Sequence, residues 1–192
     1  MIHIIDDVIP VKYQDEIQNL FFSKEFNWNL RDNLVSNFDN NIGEIGFAHQ
    51  FYCIKTNIVS EYYQYILPLL YSMTEKSNLK YSNVLNARTY LQTPSPSEKL
   101  NDYFHVDVVE QSTKTLIPHT VCLYYVNDSD GDTLISEEIF TNGNPIIIDK
   151  SLQIKKSITP KKGRAVIFNG EYYHSAGIPK KHKRCIINFD IM

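Results

Sequence analysis

The feature that most constrains the fold is a change of pattern at Val84, where the remaining chain becomes a series of short strands bounded by loops. Residues alternating between two faces are typical of strands, and turn-forming residues mark where each one ends. About eight short strands with no helices between them predict an antiparallel sandwich or barrel. The predicted strands are 84–92, 104–109, 118–127, 133–135, 145–148, 164–169, 174–177 and 185–191.

Two helices are predicted before this β region. Residues 11–24 place apolar side chains three and four positions apart, which is the spacing of one helix face. A longer apolar stripe predicts a second helix over residues 57–76, with Asn57 as its cap. Because Pro68 removes a backbone donor from the middle of this helix, we expect a kink or a break there.

Chain length predicts one domain. The 192 residues are enough for a single domain with a sizeable core, so we expect 1–192 to fold as one unit. Residues 1–9 are predicted to form a short strand, and 27–46, rich in Asn and Asp, a loop with short strands. In this prediction residues 1–83 supply helical support and N-terminal strands, and 84–191 supply the β core.

Composition excludes several classes of function. The net charge is −3 and no long basic run occurs, which disfavours an extended nucleic-acid contact. The three cysteines, Cys53, Cys122 and Cys185, form neither a zinc pattern nor a disulfide framework, and Cys122 and Cys185 are expected to be buried thiols. No segment resembles a signal peptide or a membrane span, so we expect a cytoplasmic protein.

A candidate metal site comes from three residues. In an extended strand His105 and Asp107 project from one face while Val106 turns away. A third ligand must come from elsewhere, and His174 is the natural candidate. Two imidazoles and one carboxylate form the facial triad that holds Fe(II) and leaves positions open. The alternative is that the two histidines are hydrogen-bonded core residues.

Arg184 extends the metal hypothesis to a reaction, because it follows His174 by about ten positions and a guanidinium matches a carboxylate. With this order of residues, the chain resembles the 2-oxoglutarate and Fe(II)-dependent oxygenases, in their prolyl 4-hydroxylase-like branch. Three connecting segments are similar too, and the resemblance covers about residues 84–191. These segments are 120–127, which looks like the family's core strand, 130–133, which resembles its Gly-Gly-x-Thr turn, and 160–168, which resembles its Pro-x-x-Gly-x-Ala-x-x-Phe strand.

The resemblance implies a fold, a cofactor set and a reaction. The fold would be a double-stranded β-helix, the cupin-like jelly roll, which also suits the strand count. His105, Asp107 and His174 would bind Fe(II), and Arg184 would bind the C5 carboxylate of 2-oxoglutarate. O2 would be the second cosubstrate, with ascorbate a candidate addition. The reaction would hydroxylate a C–H bond and release succinate and CO2. Because Asp107 keeps the carboxylate that related halogenases lack, hydroxylation is expected rather than halogenation.

Three further residues have open roles. The resemblance suggests that Tyr90 helps Arg184 to bind 2-oxoglutarate, although a half-buried strand tyrosine is an equal alternative. Arg88 lies on the same face of the predicted strand and could bind substrate or pair with Asp102. Asn188 shares a face with Arg184, so it either points toward the metal or makes a core hydrogen bond.

Sequence leaves the substrate open among several classes. A protein or peptide side chain, with proline as the leading guess, comes from the resemblance alone. A small molecule such as an amino acid, sugar or nucleotide is the second hypothesis, and a non-catalytic jelly-roll binding module is the third. A repair enzyme for nucleic-acid bases is weaker because the chain is acidic. The loop at 93–101 enters the ligand strand directly, so it is either a lid or wall for the substrate or a plain surface loop.

Overall fold

A computed structural model of the chain describes residues 1–32, 34, 45–96, 103–110, 112–148 and 151–192. Within them the protein is mostly β, with two helices. The helices are α1 (Val11–Phe21) and α2 (Tyr63–Ser77). The strands are β1 (Ile2–Ile5), β2 (Asn29–Arg31), β3 (Gly46–Cys53), β4 (Ile58–Val59), β5 (Val84–Gln92), β6 (Phe104–His105), β7 (Val109–Glu110), β8 (Thr115–Leu116), β9 (Thr120–Tyr125), β10 (Thr133–Ile139), β11 (Ile147–Ile148), β12 (Ile154–Ile158), β13 (Ala165–Asn169), β14 (Tyr172–Ala176) and β15 (Arg184–Ile191).

Two antiparallel sheets organise these strands. The large sheet has the order β1-β13-β9-β15-β5-β3-β2, with β4 paired to β3, and the small sheet has the order β11-β6-β14-β10-β12. A separate hairpin joins β7 and β8. The two packed sheets give the predicted jelly-roll class of fold, and the N-terminal strands β1 to β4 belong to the large sheet.

The large sheet is buried on both faces. Every residue of β15 is buried, and the strand alternates between two environments. Its Ile187 and Phe189 join the cluster that contains helix residues such as Ile66 and Met73, whereas Ile186 belongs to a cluster that faces the small sheet. The helices therefore cover one face of the large sheet and leave its other face to form the site. Neither helix of the described residues has the length and hydrophobicity needed to cross a lipid bilayer.

The second helix differs from its prediction at its start. It begins at Tyr63, because Ile58–Val59 pair with β3, and Asn57 lies in a turn with a φ of 53° rather than at a cap. The expected break at Pro68 does not occur, and the helix continues through it to Ser77. Pro68 lies in the second turn, and the buried face that follows holds the helix against the sheet.

Several strand predictions also need correction. Residues 46–53 form one strand, β3, although their alternation is weak; a register shift between Gln50 and Tyr52 explains this, because a bulge reverses the faces. The predicted strand 104–109 is two short strands, β6 and β7, separated by a bend. β12 was not predicted, and most of its residues are exposed at the edge of the small sheet.

Candidate metal and carboxylate site

The pairing of β6 with β14 brings two of the predicted ligands together. His105 lies directly opposite His174 in the antiparallel register, and their ring centroids are 4.5 Å apart. Both rings are largely buried, with 17% and 8% of their side chains exposed. A cross-strand pair in register is a close contact, so the sheet itself fixes the distance between the two imidazoles.

Asp107 completes the group just beyond the end of β6. The buried Val106 between the two candidate ligands donates its N–H to Ile146 at 3.3 Å, which keeps this segment beside the small sheet. Nε2 of His174 is 3.3 Å from Oδ2 of Asp107, and Nε2 of His105 is 3.8 Å from Oδ1. One ligand atom of each residue lies within 4.8 Å of the others, so the three predicted ligands converge.

Backbone contacts orient both imidazoles for metal binding. Nδ1 of His105 lies 3.1 Å from the Tyr103 carbonyl oxygen, and Nδ1 of His174 lies 3.1 Å from the Tyr172 carbonyl oxygen. A carbonyl can only accept, so each Nδ1 carries the proton and each Nε2 presents a lone pair toward Asp107. With both imidazoles neutral, two lone pairs and a carboxylate face one another, and this donor set fits Fe(II).

The three side chains differ in how their surroundings shift their pKa values. Burial and the neighbouring His174 lower the pKa of His105 to about 4, so its imidazole is neutral at physiological pH. Burial alone would lower the pKa of His174, but the Asp107 carboxylate outweighs it and raises that pKa. Burial would likewise raise the pKa of Asp107, but the charges of Arg88 and His174 hold it well below its ordinary value. The carboxylate is therefore ionised and available to a metal.

Polar side chains of the large sheet hold the Asp107 carboxylate. Nη2 of Arg88 donates to Oδ1 at 2.7 Å and also contacts Oδ2 of Asp190 at 3.0 Å. Asn188 donates to Oδ2 of Asp107 and Oδ1 of Asp190, each at 3.3 Å. Asp107 thus belongs to a buried hydrogen-bond network that links both sheets.

A second group of possible metal ligands joins Asp107 and Asp190 to His119, with ligand atoms within 4.8 Å of one another. Here the Arg88 guanidinium already bridges the two carboxylates and supplies the positive charge. Nδ1 of His119 contacts the Ile117 carbonyl at 2.7 Å, and its ring packs over Gly170. The two carboxylates of this second group are therefore already paired with a positive charge from Arg88.

Arg184 lies at the opposite end of the same pocket and is 3% exposed. Its Nε donates to the Gly131 carbonyl at 2.9 Å, Nη1 to Gln92 Oε1 at 3.1 Å, and Nη2 to Thr133 Oγ1 at 2.7 Å. A guanidinium has five N–H donors, so these bonds leave two for a ligand, counting acceptors in the described part of the chain. Two parallel N–H groups match one carboxylate.

The pocket between the two ends encloses about 600 Å³, including its mouth to solvent. Val121, Leu123 and Ile186 form apolar walls, and Tyr90 and Asn188 contribute polar groups. Mostly apolar walls with a few placed polar groups are typical of small-molecule sites. One pocket therefore brings together three converging candidate ligands, the buried guanidinium of Arg184 and apolar walls.

Sequence reasoning placed several residues at this pocket and missed others. Tyr90 and Asn188 line it as expected, and Arg88 pairs with Asp107 and Asp190, while its predicted alternative partner, Asp102, lies outside the described residues. The lid or wall at 93–101 is described only to residue 96.

Thr133 and Gln92 were missed as neighbours of Arg184, although both carry a signal in the sequence. Gln92 follows Tyr90 on the same strand face, at period two. Thr133 ends the 130–133 turn, which had been noted only as a resemblance. Asp190 was also missed, and it lies two positions after Asn188 on the inner face of β15.

Neither the protein-family models nor the curated proteins include a match to this chain. Solved structures do match it. A Trichoplax adhaerens prolyl hydroxylase, in complex with a hypoxia-inducible factor peptide fragment, is similar over 100% of this chain and 83% of its own, with a TM-score of 0.62 and 14% identity. An oxidoreductase of the 2OG-Fe(II) oxygenase family from Burkholderia pseudomallei is similar over 99% and 84%, with a TM-score of 0.65 and 9% identity.

The epimerase SnoN, in complex with Fe3+, alpha-ketoglutarate and nogalamycin RO, is similar over 100% of this chain and 78% of its own. Its TM-score is 0.61 and its identity 10%. These neighbours share the fold of this chain, which confirms the predicted jelly roll. At such low identity the likeness concerns the fold, so function must be argued from the site itself.

Proposed function

We propose that residues 1–192 form one Fe(II)- and 2-oxoglutarate-dependent oxygenase domain, which hydroxylates a C–H bond and releases succinate and CO2. The observation that carries the proposal is the pairing of two ends in one pocket. The converging His105, Asp107 and His174 lie at one end, and the buried Arg184 lies at the other. A binding module without turnover does not need both a set of metal ligands and a buried arginine for a carboxylate.

His105, Asp107 and His174 are the residues that would hold Fe(II). The structural support is that their Nε2 atoms and carboxylate converge, with both Nδ1 positions already engaged by backbone carbonyls. When bound together, Fe(II) and 2-oxoglutarate would supply the chemistry that divides O2, with one oxygen atom going to succinate and the other to the substrate C–H bond. Three protein ligands in a facial arrangement leave room for such cosubstrates.

Arg184 would bind the C5 carboxylate of 2-oxoglutarate. Protein acceptors at Gly131, Gln92 and Thr133 hold its guanidinium in one orientation before any ligand arrives. A buried, pre-oriented guanidinium loses little conformational entropy on binding and makes charge-assisted bonds. Tyr90, which lines the same pocket, is the candidate for an additional hydroxyl donor.

The apolar walls would keep water away from the reacting groups. Val121, Leu123 and Ile186 are each at most 5% exposed and separate the two polar ends of the pocket. Excluding water strengthens the ionic contact to Arg184.

A prolyl or other peptide side chain is the proposed substrate class. The prolyl hydroxylase of Trichoplax adhaerens, which shares the fold, was solved with a peptide fragment. In this chain the Ser95 N–H donates to the Pro179 carbonyl at 3.0 Å. Pro179 follows the strand of His174, so residues 93–96 would supply one wall of a peptide groove.

A small-molecule substrate is the competing proposal, and a specific comparison favours it. The epimerase SnoN has the same fold and was solved with nogalamycin RO, which is a small molecule and not a peptide. A pocket with mostly apolar walls and a few polar groups, as found here, suits such a substrate equally well.

The test is succinate formation with Fe(II), 2-oxoglutarate and ascorbate, measured against proline-containing peptides and a panel of free metabolites. Peptide-dependent succinate, with a product heavier by one oxygen atom, supports the peptide proposal, and stimulation by a metabolite alone supports the competing one. The His174→Ala variant should be inactive, and His182→Ala, a change at an exposed histidine, should be active. If the chain binds metal and 2-oxoglutarate but forms no succinate with any substrate, the result supports a binding module instead.

A further inference from the structure

The Asp107 carboxylate has a partner that no part of the proposed reaction requires. Arg88 reaches it from β5, in the opposite sheet, and one nitrogen, Nη2, serves both Asp107 at 2.7 Å and Asp190 at 3.0 Å. The Arg88 and Asp107 side chains are 13% and 9% exposed. A charge-assisted contact of this length, largely shielded from water, is among the strong hydrogen bonds of proteins.

Asp190 anchors Arg88 from the neighbouring strand. Its side chain is fully buried, and it also accepts from Asn188 at 3.3 Å and Asn86 at 3.5 Å. In the β5–β15 register Arg88 lies opposite Asn188, and Asn86 lies opposite Asp190. The sheet thus fixes the position of Asp190, and through it the position of the guanidinium.

The charges of this cluster are balanced in a specific way. Asp107 and Asp190 together carry two negative charges, and Arg88 neutralises one of them. The three side chains therefore have a net charge of one negative unit beside the two histidines of the triad. An unpaired carboxylate buried as deeply as Asp190 is unfavourable, and burial raises its pKa. Arg88 therefore has two separable effects: it compensates Asp190, and it holds Oδ1 of Asp107.

We propose that Arg88, anchored by Asp190, is a positioning residue that fixes the orientation of the Asp107 carboxylate and thereby sets the affinity of the triad for its metal. This inference rests on the proposed function, because it takes Asp107 to be a metal ligand. The competing explanation is that the Arg88–Asp190 pair only stabilises the fold and leaves Asp107 unaffected.

A charge-balanced double variant separates the two explanations. Arg88→Met with Asp190→Asn removes one positive and one negative charge together, so the net charge beside the triad stays the same while the contact to Asp107 is lost. Binding of Mn(II), a redox-stable probe, is measured by titration without 2-oxoglutarate, and thermal melts report folding. Losing a side chain that orients a metal ligand typically weakens metal binding by about 10- to 100-fold, and that is the expected result.

The matched control removes another arginine–aspartate ion pair, which lies away from the triad. Arg164 donates to Asp6 through Nε at 2.6 Å and Nη2 at 3.1 Å, so Arg164→Met with Asp6→Asn is also charge-balanced. This control should bind Mn(II) as the parent does. A folded Arg88→Met/Asp190→Asn protein with parental Mn(II) affinity would overturn the inference.

The conservative variant Arg88→Lys decides the question if the double variant does not fold. Lysine keeps the charge that compensates Asp190, but a single ammonium cannot reproduce the guanidinium geometry. Its melting temperature should stay near that of the parent while Mn(II) affinity falls several-fold. Unchanged affinity in folded Arg88→Lys would also reject the positioning role. If the parent itself binds no Mn(II), the proposed function fails instead.

Discussion

The carbonyl oxygen of Gly131 accepts a hydrogen bond from Nε of Arg184 at 2.9 Å, and no side chain fits at position 131. A Cβ there would lie 2.5 Å from the Gly177 carbonyl oxygen and 3.2 Å from Cδ of Arg184. The turn before β10 therefore packs against both the Gly177 carbonyl and the base of the arginine, and its approach to Gly177 requires glycine.

Gly131→Ala should consequently displace Arg184 without touching the metal ligands. We expect weaker 2-oxoglutarate binding, by roughly tenfold if one charge-assisted hydrogen bond of about 1.5 kcal/mol is lost, with unchanged Mn(II) affinity. Titrating each ligand separately checks this. Equal weakening of both would mean that the turn supports the whole site rather than Arg184 alone.

Arg184→Ala should have a larger effect on the same ligand. A buried bidentate contact to a carboxylate contributes on the order of 2–3 kcal/mol, so 2-oxoglutarate affinity should fall by roughly 30- to 160-fold while metal binding survives. Arg164→Ala, a change at a surface ion pair, is the matched control and should bind normally. If the Arg184 variant keeps its affinity, another residue holds the C5 carboxylate.

The resemblance suggests that both Arg184 and Tyr90 contact the C5 carboxylate of 2-oxoglutarate, and Tyr90→Phe tests the second of these contacts. Loss of one neutral hydrogen bond of about 1 kcal/mol predicts a roughly fivefold weaker 2-oxoglutarate affinity, well below the effect at Arg184. The ring itself still lines the pocket, so the fold should be intact. An unchanged titration would make Tyr90 a wall of the pocket only.

The surface pair of Asp6 and Arg164 gives a pH-dependent contribution to stability. Its hydrogen bond to Arg164 lowers the pKa of Asp6 to about 2, from an ordinary 3.8. Because the folded-state pKa is depressed, the contribution is present above the ordinary value and is lost as pH falls toward 2. Asp6→Asn should melt slightly below the parent at neutral pH, since the pair is partly exposed. The two melting temperatures should converge near the folded-state pKa, and a gap that persists there contradicts the assignment.

Much of the fold and the centre of the site follow from local patterns. β5, β13 and β15 lie within a residue of their predicted bounds. The triad could be predicted because residue order, and the period-two spacing of His105 and Asp107, limit which side chains can meet. The bulge in β3 could not be predicted, because an irregular register interrupts the alternation of apolar and polar residues from which strands are predicted.

Side-chain partners that depend on the register between distant strands could not be predicted from the sequence. The sequence left substrate or Asp102 open as partners of Arg88, and it did not indicate the contacts to Asp107 and Asp190 that the structure shows. Nothing local to Arg88 indicates that β15 lies beside β5, or that Asp190 faces inward. Pairing between distant strands therefore determines which side chains surround the triad, even where the three candidate ligands can be predicted from the sequence.

Anaerobic titration of the chain with Fe(II) and 2-oxoglutarate tests the central claim most directly. Joint binding at the triad should give a weak visible charge-transfer band, which His174→Ala abolishes because the two remaining ligands do not hold Fe(II) against water. His182→Ala, at an exposed histidine, should keep the band. A band of parental intensity in His174→Ala, or no band in the parent, would contradict an Fe(II) and 2-oxoglutarate site built on His105, Asp107 and His174.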